Sequence, residues 1–143
     1  ADRELGAGTV ASYIHSTKEV GSVVVLRSET DFVAKNDEFI KLAYDLAMHV
    51  SAANPQYVKR EDVEAQKLEA IKEMFAKEIA DKPEALREQI LSGKVDAYLK
   101  NIVLMEQEFI KDPEKKIKDL IDGASQKFGE RIEVGQMMRF SAR

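Results

Sequence analysis

The hydrophobic pattern of the chain opens with two strand-like segments. Residues 9–14 and 20–26 are rich in β-branched residues, and the polar residues 15–19 between them have the length of a hairpin turn. We therefore predict an antiparallel hairpin. Residues 23–26 are all apolar, which predicts that the second strand is covered on both faces.

A helical pattern follows the hairpin. Apolar residues at spacings of three and four predict an amphipathic helix over residues 39–53. It should end before Asn54 and Pro55, because proline disfavours helical geometry in the residue that precedes it. His49 falls beside the apolar stripe, which indicates a position at its edge or on the surface.

The middle of the chain carries narrower apolar stripes among many lysines and glutamates. These stripes predict a helix over residues 60–80, another that begins at Pro83 and stops at Gly93, and a short one over residues 95–102. A narrow stripe buries little surface per turn, so we expect residues 60–102 to form a protruding helical arm.

The C-terminal part predicts one more helix and a final strand. A helical stripe over residues 117–128 is closed by Gly129, and an apolar alternation follows over residues 132–140. The apolar positions on the two sides of Gly135 share parity, so we expect one apolar face along the whole strand.

Together these elements predict an α+β fold. A small antiparallel three-stranded sheet, formed by the N-terminal hairpin and the C-terminal strand, should pack with about five helices. The 143 residues have the size of one domain, and we treat residues 1–143 as a single domain.

Composition argues against several classes of protein. The net charge of −4 and the isoelectric point of about 5.3 disfavour direct binding of nucleic acid, since modules that bind it are usually basic. No apolar run approaches the ~18 residues of a membrane span, so we expect no membrane partner. The absence of cysteine excludes disulfides and fits a cytoplasmic protein.

The sequence offers little for enzyme chemistry. Its two histidines, His15 and His49, have no second histidine or cysteine three or four residues away, and there is no P-loop, nucleophile elbow or dinucleotide fingerprint. We therefore expect no catalytic residue, no metal and no cofactor. An enzyme would instead need a pocket with clustered carboxylates or histidines.

The unusual local feature is an acidic residue beside a large aromatic one, Asp31 and Phe32, where the second strand meets the first helix. The residues alone favour a structural interpretation, in which Thr30 or Asp31 caps a helix and Phe32 packs into the core. The alternative is a displayed Asp-Phe wedge that enters a groove of another protein, because an aromatic anchor next to a charge is typical of binding hot spots.

Residues 26–35, Leu-Arg-Ser-Glu-Thr-Asp-Phe-Val-Ala-Lys, resemble the signature of the bacterial elongation factor Ts family. Residues 10–15, 46–50, 54–58 and 129–140 resemble other parts of the same family, so the resemblance covers nearly the whole chain. The family usually has Glu where Val25 stands, Asn where Arg27 stands, and often Cys where Ser28 stands. These departures flank the wedge and leave its own residues unchanged.

The resemblance implies a noncatalytic guanine-nucleotide exchange factor that acts on the GTPase elongation factor Tu. Asp31 and Phe32 would enter between two helices near the Mg²⁺ site of the GTPase, dislodge the metal and promote GDP release. Thr30 and Val33 would shape the turn, and His15 would be a secondary partner contact.

The resemblance also bears on assembly. The family has a small N-terminal three-helix domain that nothing here resembles, and residues 1–8 look like the linker behind it, so we expect a core without that domain. A single core subdomain resembles the family members that pair as homodimers, and without cysteine the pairing would be noncovalent. The competing hypothesis is a dimerisation module without exchange activity of its own.

Overall fold

The computed structural model describes residues 4–143, which form two compact units. One unit comprises the chain up to Asn54 together with Glu108–Arg143, and the other comprises Pro55–Gln107. Within the described residues there are five α-helices, a three-stranded antiparallel sheet and a two-stranded sheet. The predicted α+β fold is confirmed.

The three-stranded sheet belongs to the first unit. Strand β1 (Ala7–Ile14) pairs with β2 (Val20–Ser28), and β2 pairs with β5 (Glu133–Ser141), all antiparallel, in the order β1-β2-β5. This arrangement confirms the hairpin and the joining C-terminal strand. The predicted linker over residues 1–8 is partly wrong, because Ala7 and Gly8 already belong to β1, while residues 1–3 lie outside the described part.

A β-bulge interrupts the pairing of β2 with β5. Leu26 faces Val134 whereas Val25 faces Gln136, which leaves Gly135 as an extra residue. One extra residue inverts the facing of every side chain beyond it. The predicted single apolar face is therefore wrong, since Val134 is buried against the core while Met138 lies exposed on the opposite face.

Helix α2 (Asp37–Ala53) packs on one face of this sheet and supplies Phe39, the largest fully buried side chain. Five of the six residues of its predicted stripe are buried, namely Phe39, Ala43, Leu46, Ala47 and Val50, whereas the sixth, Ile40, is exposed. Asn54 ends the helix in the left-handed conformation at φ 49°, directly before Pro55. The predicted end of this helix is confirmed.

The prediction for His49 was wrong, because its side chain is fully buried. The short hairpin of β3 (Glu108–Phe109) and β4 (Asp112–Lys116) lies over this side of α2 and widens its buried face. The backbone N–H of Ile110 donates to His49 Nδ1 at 3.3 Å, and the ring centroids of His49 and Phe109 are 6.0 Å apart. The helical periodicity of α2 does not indicate that a hairpin from a later part of the chain covers His49.

The other face of the three-stranded sheet is not covered by α2 and carries an apolar patch. We call it the open sheet face and define it by six side chains that the strand register places on one side: Val10, Ile14, Val23, Val25, Met138 and Phe140. Val10 is 68% exposed and Phe140 60% exposed. The prediction that β2 is covered on both faces is therefore not met within residues 4–143.

The first unit also contains helix α1 (Asp31–Ala34) and helix α5 (Ile117–Phe128). Gly129 ends α5 at φ 67°, a left-handed conformation that favours glycine, so the predicted helix and its stop are confirmed. In residues 4–143, no helix has both the length and the apolar character that a membrane crossing requires.

The second unit is built on helix α3 (Ala65–Glu78) and helix α4 (Glu84–Ile102). Its core consists of Ile71, Val95, Leu99, Ile102 and Val103. The predicted stop at Gly93 is wrong, because α4 continues through it. The apolar residues beyond Gly93 pack on α3, and that burial outweighs the weak helix propensity of one glycine.

An ion-pair network lies at one end of the second unit. Arg60 donates from Nε to Glu106 at 2.8 Å and from Nη2 to Asp96 at 2.8 Å, and Lys100 pairs with Asp96 at 3.2 Å. Hydrogen bonds, chiefly with Glu106, raise the pKa of Arg60 above its ordinary value. The hydrogen bond from Arg60, followed by that from Lys100, lowers the pKa of the Asp96 carboxyl.

Candidate partner-binding site

The turn after β2 is a single helical turn with a capped beginning. Thr30 is the N-cap of α1, with extended backbone angles, and its hydroxyl oxygen accepts from the backbone N–H of Val33 at 3.3 Å. Ser28 Oγ donates to the carbonyl of Thr30 at 2.9 Å. Asn36 then caps α2 by accepting from the backbone N–H of Glu38 at 2.8 Å. The predicted cap at Thr30 is confirmed.

Adjacent residues of this turn have opposite environments. Val33 and Ala34 are each only 4% exposed and belong to the core, whereas Asp31 is exposed and Phe32 is 85% exposed. The structural interpretation of Phe32 as a core residue is therefore wrong. Its ring stands in solvent on a turn whose next two residues are anchored.

Two distant segments hold the turn. Thr9 Oγ1 on β1 donates to the carbonyl of Ala34 at 2.5 Å. From the connection between α5 and β5, Glu130 accepts hydrogen bonds from the backbone of Glu29 and from Thr30. The turn is thus fixed on both sides by groups far away in sequence. No sequence pattern indicated that Thr9 or Glu130 would hold this turn.

His15 lies away from this turn. It follows β1 in the hairpin turn, is exposed, and its Nδ1 lies 3.0 Å from the hydroxyl of Tyr13. The register places Ile14 opposite Gly21 and Ala7 opposite Ser28, so His15 and Thr30 sit at opposite ends of the hairpin. At about 3.3 Å per residue this separation exceeds roughly 20 Å. A partner contact of His15 would therefore be separate from one of Phe32.

The remaining four predicted residues lie together. Thr30, Asp31, Phe32 and Val33 span the cap and first turn of α1, with Thr30 and Val33 joined by the cap hydrogen bond and Asp31 and Phe32 projecting outward. Across residues 4–143, no group of three or more His, Asp and Glu side chains is placed to hold a metal ion. What this geometry offers is an aromatic side chain, accompanied by a carboxylate, presented on a fixed turn.

Comparison with known proteins identifies the family. The sequence model of the family described as Elongation factor TS matches residues 3–143. The chain belongs to the elongation factor Ts family. Elongation factor Ts of Thermodesulfovibrio yellowstonii is 46% identical over 141 residues, and that of Herpetosiphon aurantiacus is 45% identical over 142 residues.

Both alignments cover 98% of this chain, and 70% and 72% of the respective relatives. Elongation factor Ts of Thermosipho melanesiensis is 43% identical, over 99% of this chain and 73% of its own length. Membership of the elongation factor Ts family supports a role in translation elongation. The signature that suggested the family includes the turn on which Phe32 is exposed.

Proposed function

We propose that this chain is a noncatalytic exchange factor that promotes GDP release from elongation factor Tu in the cytoplasm. The observation that carries the proposal is Phe32, an aromatic residue that is 85% exposed although its turn is anchored in the core. Exposing a large aromatic ring to water is unfavourable, and such residues are the usual anchors of protein interfaces.

An exchange factor must bind the nucleotide-free GTPase more tightly than the GDP-bound form. The coupling is reciprocal, so each 1.4 kcal/mol of this difference weakens GDP binding about tenfold. Full burial of Phe32 in the GTPase supplies about 1.5–3 kcal/mol. A contact made only when GDP has left thus weakens GDP binding substantially.

Asp31 contributes an electrostatic interaction in this proposal. Phe32 enters between two helices of the GTPase near its Mg²⁺ site, and Asp31 beside it makes a polar contact or repels negative charge on the phosphate side. Mg²⁺ neutralises phosphate charge in GTPases, so displacing it weakens GDP further. Thr30 and Val33 shape the turn that presents both side chains.

The experiment is the release of a fluorescent GDP analogue from elongation factor Tu with excess unlabelled GDP. Adding this chain at micromolar concentration should accelerate release in proportion to its concentration until saturation. Bovine serum albumin at equal concentration is the control. Release at the intrinsic rate at every concentration of the chain would contradict the proposal.

We also propose a noncovalent homodimer, for which the open sheet face is the candidate surface. Its six side chains form an uncharged patch, and Arg27, which the register places on the same side, lies beyond Val25 near the end of β2. An apolar sheet face is normally covered by a second layer, and α2 covers only the opposite face. The same observation supports the second candidate function, a dimerisation module that leaves GDP release unchanged.

A further inference from the structure

The side chain of Glu130 makes an unusual set of contacts with the turn that carries Phe32. Its Oε1 accepts from the backbone N–H of Glu29 at 3.0 Å and from that of Thr30 at 3.1 Å. Its Oε2 accepts from the Thr30 hydroxyl at 2.7 Å. In return, Glu29 Oε2 accepts from the backbone N–H of Arg131. We call this reciprocal set the Glu130 clasp.

We propose that Glu130 is a positioning residue, which fixes the orientation of the turn so that Phe32 is presented to the partner. This inference rests on the proposed exchange function and adds a residue that makes the exposed aromatic effective. Glu130 acts through Thr30 and the turn.

The Thr30 hydroxyl explains why a carboxylate suits this position. A hydroxyl has one proton to donate and lone pairs that accept. Because Glu130 takes the proton, the lone pairs of Thr30 Oγ1 point toward the N–H of Val33, which is the cap hydrogen bond of α1. The carboxylate therefore sets the direction of the cap as well as satisfying two backbone amides.

The clasp also reduces the cost of binding. An exposed aromatic on a loose turn must be ordered when it enters a groove, and that ordering subtracts from the affinity. Hydrogen bonds to an ionised acceptor are stronger than neutral ones. Three of them converge here on residues one and two positions before Asp31. The turn is thus ordered before the partner arrives.

The test compares three variants of the chain. Glu130→Ala removes the clasp, and Glu130→Gln keeps one carbonyl oxygen for the two amides but loses the acceptor for the Thr30 hydroxyl. Glu114→Ala is the matched control, because Glu114 is exposed on β4 and takes no part in the turn. Each variant is measured for hydrogen exchange of the Glu29 and Thr30 amides by NMR and for GDP release from elongation factor Tu.

We expect the Glu29 and Thr30 amides of Glu130→Ala to exchange about tenfold faster, with Glu130→Gln in between and Glu114→Ala unchanged. The concentration of Glu130→Ala that gives half-maximal GDP release should rise about tenfold, and Glu130→Gln should restore part of that loss. Partial rescue by glutamine separates positioning from a general loss of folding, which the thermal midpoint of each variant monitors.

Unchanged amide exchange in Glu130→Ala would overturn the clasp, and faster amide exchange with unchanged GDP release would overturn its positioning role. If the unaltered chain itself does not release GDP, the proposed function fails instead. The amide measurement still decides in that case whether Glu130 holds the turn, so the two failures are distinguishable.

Discussion

At the scale of single residues, the turn after β2 separates side chains that build the fold from side chains left available for binding. The cap at Thr30 could be predicted because capping depends on residues within one turn of each other. The exposure of Phe32 could not be predicted, because it depends on how the rest of the chain packs near the turn. The contact of Glu130 with the turn could not be predicted either, since 100 residues separate Glu130 from Thr30.

The first prediction concerns the Thr30 hydroxyl. Thr30→Val keeps the shape of the side chain but removes the cap and the donor to Glu130, and should lower the free energy of unfolding by about 1–2 kcal/mol. Thr30→Ser, the control, keeps the hydroxyl and should lose much less. Urea denaturation measures both. Equal stability of the two variants would show that the hydroxyl contributes nothing.

At the scale of elements, the strong hydrophobic stripes predicted α2 and α5 well, because burial of a stripe decides helix formation. The stop at Gly93 was predicted from a local propensity of about 1 kcal/mol, which packing of the residues beyond it on α3 outweighs. The prediction of one apolar face along β5 failed because of a β-bulge. Its extra residue depends on pairing with a strand more than 100 residues earlier, which alternation along one strand does not reveal.

The second prediction concerns Gly93, which lies inside α4, where a Cβ would meet no atom within 4 Å apart from its chain neighbours and the backbone of its own helix. Gly93→Ala should raise the free energy of unfolding by about 0.5–1 kcal/mol, because alanine loses less backbone entropy in a helix. Gly129→Ala is the matched comparison and should destabilise, because φ is 67° there. Thermal unfolding followed by circular dichroism tests both. Destabilisation by Gly93→Ala would contradict the continuous helix.

The third prediction concerns acid stability of the second unit. The pKa of Asp96 is lowered in the folded state, so the stability it contributes is complete above its unfolded pKa of about 4. That contribution is lost as the pH falls through the lower, folded pKa.

In Asp96→Asn, the decrease of Tm between pH 7 and pH 3 should therefore be smaller than in the unaltered chain. Asp81→Asn, which changes an exposed carboxyl in the loop between α3 and α4, is the control. A decrease of Tm in Asp96→Asn as large as in the unaltered chain would show that the Arg60 network makes no acid-sensitive contribution.

At the scale of the whole molecule, the sheet of the first unit has two unlike faces. The apolar run of β2 predicted that both of its faces are covered, but only one is covered in residues 4–143, because α2 packs on one side alone. The open sheet face results from that packing and from the bulge that turns Met138 outward. The protruding arm over residues 60–102 stays a prediction.

The fourth prediction concerns the oligomeric state. The unaltered chain should have the mass of a dimer by multi-angle light scattering, and Val10→Asp, which places two like charges in the proposed interface, should have the mass of a monomer. Ile40→Asp changes an equally apolar exposed residue on α2, outside that face, and should remain dimeric. A dimer that survives Val10→Asp would place the interface elsewhere.

The most direct test of the central claim is the rate of GDP release from elongation factor Tu with Phe32→Ala. The matched control is Leu86→Ala, which truncates another exposed apolar side chain, on α4. Loss of about 1.5–3 kcal/mol should raise the concentration for half-maximal release roughly 10- to 150-fold in Phe32→Ala and leave Leu86→Ala unchanged. If Phe32→Ala accelerates GDP release as well as the unaltered chain, Phe32 is not the anchor.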